Sequence, residues 1–438
     1  MQHIPAVAII NHGCKLNQFE GEALACSFRE AGFRVVDSRH GESPDITIVN
    51  TCTVTSNGDR KSRQSIYRAV ASKDKNGIVV VTGCYAETDG IMLGKISGVD
   101  LVVGNKKKAK IMDIIRAYRG NGMCSVPEAD TSFQYRAPEH PDRSRVYVKV
   151  QDGCSMRCAY CKVPRARGSS RSRNLQDILT YVKKLVENGY KEIVLTGINL
   201  GDYNDGSITL SGLLSPLLEL DPSYRIRLSS IEPFLFEKNL IKTVSHPRIV
   251  PHFHIPLQSG SDRILRLMNR PYSAREYVGL VKTLKILRPD AHFATDVIVG
   301  FPTETADDFY DTMRVVNEVE FASMHVFRYS PRDGTKAARL EDTVSPREKG
   351  MRSKTLIQHA SSLNFGYRMR FLHTVRDAVF ERHTKDRPWV GITDNYIKAE
   401  LVEHGKSSVH AYENLSRRLL PVRVVDVQPT VTLCEIAR

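Results

Sequence analysis

Three cysteines fall within eight residues of the segment QDGCSMRCAYCKVPRARG, as Cys154, Cys158 and Cys161 in a C-x3-C-x2-C spacing. Soft thiolates this close together suit iron or zinc. Four cysteines would saturate a four-iron cluster, whereas three leave one iron open to another ligand. A zinc knuckle completed by a distant residue, or idle thiols, are the other readings; the loop holds no histidine, and structural zinc usually shows two C-x2-C pairs. A second set, Cys14, Cys52 and Cys84, recurs at intervals of roughly 35 residues. Nine cysteines is an odd number, and with no secretory leader a disulfide framework is not expected. Cys26, Cys124 and Cys434 have no partner at short spacing and read as buried or idle thiols.

The elements that must position these thiols follow from periodicity. Strands are predicted at 6–11, 46–50 and 78–82, helices at 17–31 and 58–72, then a short strand at 101–103 and a basic helix from Lys106. Such alternation predicts an open, mostly parallel α/β sheet over residues 1–120. Cys14, Cys52 and Cys84 each lie just past a strand, on the sheet edge where open α/β folds bind ligands. That placement lets the three thiols meet, although strand position alone also fits unconnected core cysteines. Residues 121–141, with Pro127, Pro138 and Pro141, read as a linker. Over 142–370 strands are predicted at 146–150, 192–196, 225–229, 252–257, 293–299 and 322–327, with helices at 175–188, 213–218, 263–268, 274–287 and 307–319. Six βα units imply a partial (β/α)6 barrel, with the C-x3-C-x2-C loop at the carboxyl end of its first strand, where barrels keep their chemistry. A helix at 347–370 precedes β-prone runs at 373–381, 389–391, 397–401, 408–412, 419–428 and 431–434, so 371–438 reads as a small all-β barrel, either an RNA-binding module or a structural cap.

Charge narrows the class of partner. Lys and Arg number 63 against 49 Asp and Glu, a formal +14 that favours association with a polyanion. Residues 143–173 carry nine basic groups against Asp152 alone, and Lys106, Lys107, Lys108 and Lys110 form a second basic row. These rows, Arg165 to Arg173 included, read either as phosphate contacts or as solvated surface. The apolar run at the amino terminus is too short for an export signal and no stretch would span a bilayer, so a soluble cytoplasmic protein without a membrane partner is expected.

The C-x3-C-x2-C segment resembles the signature of the radical S-adenosylmethionine (SAM) superfamily. Together with Pro164, Arg167-Gly168 and Arg171-Ser172-Arg173 it resembles the methylthiotransferases more narrowly. The likeness continues through LTGIN (195–199), SSIEP (229–233), HIPLQSGS (254–261), DVIVGFP (296–302) and YSPRDGT (329–335), and through the amino-terminal stretches NHGCKLN (11–17), NTCTVT (50–55) and TGCY (82–85). The resemblance implies a radical SAM enzyme with two [4Fe-4S] clusters. Cys154, Cys158 and Cys161 would hold the one that cleaves SAM to a 5'-deoxyadenosyl radical; Cys14, Cys52 and Cys84 would hold an auxiliary cluster carrying the sulfur to be transferred. It also implies that Tyr160 packs near the cofactor adenine, that Thr196 and Gly197 lie by its amino group, and that Ser230 and Glu232 contact cofactor or substrate. Gly260 is expected to serve a turn. Thr303 departs from the family, which has glycine there, and leaves the shape of that loop open.

Three family branches compete: methylthiolation of N6-threonylcarbamoyladenosine in tRNA, of isopentenyladenosine in tRNA, and of an aspartate in a ribosomal protein. GCKLNQ around Cys14, NTCTVT around Cys52 and the Asn395-Tyr396 pair of a TRAM-like barrel resemble the first; the second branch has an arginine where this chain has Thr55. The implied partners are a tRNA anticodon stem-loop, an electron donor and a sulfur source. A non-catalytic iron or zinc RNA-binding protein, or a redox protein, would share the basic surface without needing two three-thiol sets.

Overall fold

Runs such as ITIV and IVVV are apolar on both faces, which a strand tolerates only where it is covered on both sides. In the structure, a computed structural model describing residues 4–37, 43–119, 133–135, 138, 141, 143–381, 388–402 and 415–437, they become the buried centre of a parallel sheet. Its elements are β1 (Ala6–Asn11), α1 (Lys15–Glu30), β2 (Arg34–Val36), β3 (Ile46–Thr51), α2 (Ser56–Ala71), β4 (Ile78–Gly83), α3 (Cys84–Gly94), β5 (Leu101–Val103) and α4 (Ile111–Arg119). The strand order is β2-β1-β3-β4-β5, all parallel. Val49, Val79 and Val81 pack against Ile66 of α2 and Leu93 of α3. Two elements fall outside the predicted set. β2 is three residues of partly exposed edge; α3 starts directly at Cys84 and breaks helical geometry at Asp89, which blurs its period.

The chain continues through β6 (Arg145–Lys149), β7 (Gln151–Asp152), α5 (Val163–Arg167), β8 (Arg171–Ser172), α6 (Leu175–Glu187), β9 (Glu192–Thr196), β10 (Asn204–Asp205), β11 (Ile208–Thr209), α7 (Leu210–Leu220), β12 (Arg225–Leu228), α8 (Lys238–Thr243), β13 (His252–His254), α9 (Asp262–Leu267), α10 (Ala274–Leu287), β14 (His292–Val299), α11 (Ala306–Val319), β15 (Ser323–Arg328) and α12 (Pro346–Met369). Two compact units result. The first adds Gln151–Arg157 and Cys161–Arg173 to the amino-terminal sheet; the second holds Pro141–Val150, Cys158–Tyr160 and Asn174–Arg438. In the second, β6-β9-β12 and β13-β14-β15 run parallel in sequential order, joined through the Ile226–Ile249 bridge and the Ile231 N–H donated to His254 O at 3.0 Å. This is the expected six-stranded partial barrel.

Two positions in the barrel refine the sequence reading. Gly260 does not take the left-handed backbone expected of a turn glycine: a Cβ there would lie 2.6 Å from Thr312 Cα and 2.7 Å from Asp311 O, so close approach to α11 is what demands glycine. Thr303 keeps a glycine-like backbone, with φ of +68°, and its carbonyl accepts from Arg263 Nη2 at 2.6 Å. A β-branched residue in that region costs about 1–2 kcal/mol, which the arginine clamp offsets.

The last strands, β16 (Val375–Phe380), β17 (Val390–Thr393), β18 (Lys398–Leu401), β19 (Leu419–Val427) and β20 (Thr432–Ile436), close into a barrel in the order β16-β17-β18-β20-β19. Cys434 lies in its apolar core with Phe380 and Val422, as a buried thiol should. The expected run at 408–412 and Cys124 lie outside the described residues. Buried Glu192 on β9 receives Arg227 Nε at 2.7 Å and Arg225 Nε at 2.7 Å. The same guanidinia donate to the carbonyls of Asp377, Ile392, Thr393 and Asp394, fastening the small barrel to the parallel strands. Tyr396, at φ +63°, lays its ring 4.1 Å from that of His252 and beneath Arg227. Among the described residues no helix is long and apolar enough to cross a membrane.

Candidate metal centres

The parallel order β1-β3-β4 fixes the first centre, because each of these adjacent strands is followed within three residues by a cysteine. Cys14 is the N-cap of α1, Cys52 follows β3, and Cys84 opens α3. Two of the three sulfurs thus sit at helix amino termini, and burial raises the Cys14 thiol above its ordinary value. Gly13 (φ +95°) admits this approach: a Cβ on it would lie 2.8 Å from Cys52 Sγ. The side chain of Asn17 ties the strand ends together, donating to His12 O at 2.7 Å and Thr51 O at 2.9 Å. The structure therefore brings Cys14, Cys52 and Cys84 within each other's electrostatic reach. Burial pushes the Cys52 thiol up to about 12, so loading this centre with metal displaces protons.

Arg167 supplies the counter-charge. Its Nε donates to Cys84 Sγ at 3.3 Å, Nη1 to Glu20 Oε1 at 2.9 Å and Asp152 Oδ1 at 3.0 Å, and Nη2 to Asn17 Oδ1 at 2.6 Å. Lys108 Nζ meets Glu20 Oε2 at 2.6 Å, and Lys108, Glu20 and Arg167 are all buried. This corrects the sequence reading of the two basic rows. Lys108 and Arg167 are neither phosphate contacts nor solvated surface, because each has exchanged water for buried carboxylate. Lys149 and Lys162 are buried as well, whereas Lys106, Lys110, Arg157 and Arg165 remain exposed. Beside Cys84, Asn105 Nδ2 lies 3.6 Å from the sulfur and its Oδ1 has no hydrogen-bond partner among the described residues. Three converging thiols beside a buried cation fit an iron–sulfur cluster.

The C-x3-C-x2-C segment departs from β6, and all three of its cysteines are half-buried. Within the first unit the Cys154 N–H donates to Gly168 O at 3.1 Å and the Val163 N–H to Cys161 Sγ at 3.4 Å. Within the second unit Arg270 Nη1 donates to Cys158 Sγ at 3.1 Å while Nη2 pairs with Glu232. Arg270 was not singled out in the sequence; its signal was only a basic residue following α9. Tyr160 packs on the cluster of Ile264, Met268, Phe301 and Tyr329. Thr196 is buried and its hydroxyl donates to Val194 O at 3.2 Å, while the Gly197 N–H donates to Ser229 Oγ at 3.3 Å. Ser230 Oγ is 2.8 Å from His254 Nδ1. Burial raises the Glu232 carboxyl above its ordinary range, opposed by Arg270.

A parallel α/β barrel whose first strand runs into a C-x3-C-x2-C loop defines a radical SAM protein. The sequence matches the radical SAM superfamily over residues 148–316 and an uncharacterized protein family, UPF0004, over residues 6–104. The threonylcarbamoyladenosine tRNA methylthiotransferase MtaB of Bacillus subtilis is 38% identical over 405 residues, 90% of this chain and 89% of its own length. The MtaB of Aquifex aeolicus is 41% identical, covering 80% of this chain and 86% of its own. The tRNA-2-methylthio-N(6)-dimethylallyladenosine synthase of Akkermansia muciniphila is 31% identical over 96% of both chains. Among solved structures, the radical SAM methyltransferase TsrM of Kitasatospora setae aligns with a TM-score of 0.58 over 77% of each chain at 14% identity, a likeness of fold alone. The chain belongs to the radical SAM methylthiotransferase family, and it is an enzyme that uses SAM and iron–sulfur chemistry.

Proposed function

We propose that this enzyme installs a methylthio group on carbon 2 of N6-threonylcarbamoyladenosine, next to the anticodon of tRNA, with SAM as both methyl donor and radical source. The observation that carries the reading is the second three-thiol centre: generating a radical from SAM needs only one. Cys154, Cys158 and Cys161 would hold one [4Fe-4S] cluster, and Cys14, Cys52 and Cys84 the other. When bound, these groups supply radical cleavage of SAM and the sulfur and methyl for a carbon that has no leaving group, a step closed to acid–base catalysis.

The chain's own residues bind and orient. Arg270 holds the Cys158 sulfur and Glu232 in one array; Tyr160, Thr196, Gly197, Ser230 and Glu232 are the proposed cofactor contacts. Arg167 stabilises negative charge on Cys84. Exposed Lys106, Lys110, Arg157 and Arg165 are the proposed phosphate contacts, which position an RNA without reading its sequence. Residues 1–120, 142–370 and 371–438 act as auxiliary-cluster, radical and TRAM-like segments, with 121–141 as the linker.

Nucleoside mass spectrometry of tRNA from cells with and without the gene tests the substrate. Deletion should remove 2-methylthio-N6-threonylcarbamoyladenosine and leave the unthiolated nucleoside in its place. Its retention after loss of the only copy contradicts the assignment, and loss of the methylthio-isopentenyl nucleoside instead moves it to the other tRNA branch. Cys158→Ala should abolish methylthiolation and radical cleavage together; Cys52→Ala should abolish sulfur insertion and leave some SAM cleavage.

A further inference from the structure

Facing the interior of the parallel strands in the second unit is a chain of polar side chains to which the reading above gives no role beyond Ser230. Ser230 Oγ lies 2.8 Å from His254 Nδ1, His254 Nε2 lies 3.1 Å from Asp296 Oδ1, and Asp296 Oδ1 lies 3.0 Å from His325 Nδ1. The strands impose this order: β13, β14 and β15 are neighbours, and Asp296 is in register with His325. Side-chain direction is equally fixed. Thr295 faces Tyr277 of α10, whose hydroxyl lies 3.4 Å from its Oγ1, so alternation turns Asp296 to the face without helices.

The chain runs from the inside outward. The His254 side chain is 14% exposed, Asp296 23% and His325 63%, so His325 presents its ring at the open end. Phe327 is two residues further along the same face of β15; its ring is 6.5 Å from that of His325 and 37% exposed. An exposed phenyl ring offers a stacking platform for a purine, as in recognition of unstacked RNA bases. At the inner end, His254 and Asp296 lie close enough to Glu232 to act on its charge, and Glu232 shares Arg270 with Cys158. The chain is therefore linked, through Glu232 and Arg270, to a cysteine of the C-x3-C-x2-C segment.

We propose that His325, oriented by Asp296 and His254, binds the carboxylate of the threonylcarbamoyl group while the purine stacks on Phe327. The inference rests on the functional reading above. An isopentenyl group offers nothing for a histidine to bind; a threonylcarbamoyl group carries an anion and a hydroxyl. As an imidazolium, His325 spends its Nδ1–H on Asp296 and has its Nε2–H to donate to such an anion, on a ring that is 63% exposed. His325 is thus a specificity residue, and Asp296 and His254 are positioning residues.

The test uses the reconstituted full chain and two anticodon stem-loop RNAs, one carrying N6-threonylcarbamoyladenosine and one with its carboxylate replaced by a carboxamide. Equilibrium binding is measured alongside kcat/KM. The wild type should prefer the carboxylate RNA by about tenfold or more, the scale of one charge-assisted hydrogen bond. His325→Phe should cut that preference to within about twofold, and His325→Gln, which keeps a donor, should restore part of it. A preference unchanged in His325→Phe overturns the proposal. So does a parallel rise in KM for SAM, which would assign the chain to the cofactor. So does a divalent metal bound by the wild type and lost in the variant, since the three ligand atoms lie within 4.8 Å of one another and a metal would take the place of the substrate anion. If the wild type fails to methylthiolate the first RNA, the functional reading falls, while the binding preference still decides the subsite.

Discussion

Two buried arginine–carboxylate networks, one in each unit, are alike in chemistry and unlike in purpose. In the first unit Arg167 and Lys108 surround Glu20 and Asp152; in the second Arg225 and Arg227 surround Glu192. Burying such charges costs several kcal/mol per ion and is offset only when the remaining donors are satisfied. The networks differ in where those donors go. Arg167 Nε reaches a sulfur, whereas Arg225 and Arg227 reach four backbone carbonyls of the small barrel. The acceptor that completes the guanidinium, rather than the charge itself, separates an arginine that serves a cofactor from one that docks a domain.

The largest effect expected is on stability. Glu192→Ala leaves two guanidinia buried without their carboxylate and should destabilise the second unit by about 3–5 kcal/mol, measured by denaturant unfolding of the metal-free chain. The arginines hold the Glu192 carboxyl down, from an ordinary 4.5 to about 2, despite burial that acts in the opposite sense. A depressed carboxyl stabilises the fold above its unfolded value, so this contribution should be complete above about pH 5 and fade as pH falls toward 2. The same acid titration on Glu192→Gln should lack that phase.

A smaller, more discriminating effect separates the two networks. Arg167→Lys keeps a charge but loses the N–H directed at Cys84, and should lower iron content or shift the reduction potential of the amino-terminal centre. Arg227→Lys should cost about 1–2 kcal/mol of stability and leave the iron stoichiometry alone. If both lysine variants retain full iron and an unshifted potential, the contrast collapses. The smallest effect concerns the strained loop: Thr303→Gly should raise stability by at most about 1 kcal/mol, because relief of the left-handed backbone is partly cancelled by glycine's greater freedom when unfolded. A decrease in melting temperature would mean that the bond Arg263 Nη1 donates to the Thr303 hydroxyl at 3.3 Å outweighs the strain.

Much of this was legible in the chain. Strand period and the position of each cysteine just past a strand gave the sheet edge on which Cys14, Cys52 and Cys84 meet, and the six barrel strands and the helices expected between them came within a few residues of their observed limits, although α8, six residues long, was not expected. What was not legible depends on partners far apart in sequence. Arg167 lies 147 residues from Glu20, so nothing local separated it from its exposed neighbour Arg165. Arg270 lies 112 residues from Cys158, and His325 is 29 residues from Asp296, with only the register of β14 and β15 to join them. Gly260 is a glycine in both accounts, but only the packing of α11 shows that space, not backbone conformation, requires it.

The central claim is that two separate cysteine triads each hold a cluster. Iron and acid-labile sulfide counted in the anaerobically reconstituted wild type and in a Cys14→Ala/Cys52→Ala/Cys84→Ala variant test it most directly. The wild type should carry about eight irons per chain and the variant about four, with SAM cleavage surviving in the variant. Equal iron in the two proteins, or zinc in place of iron, would contradict it.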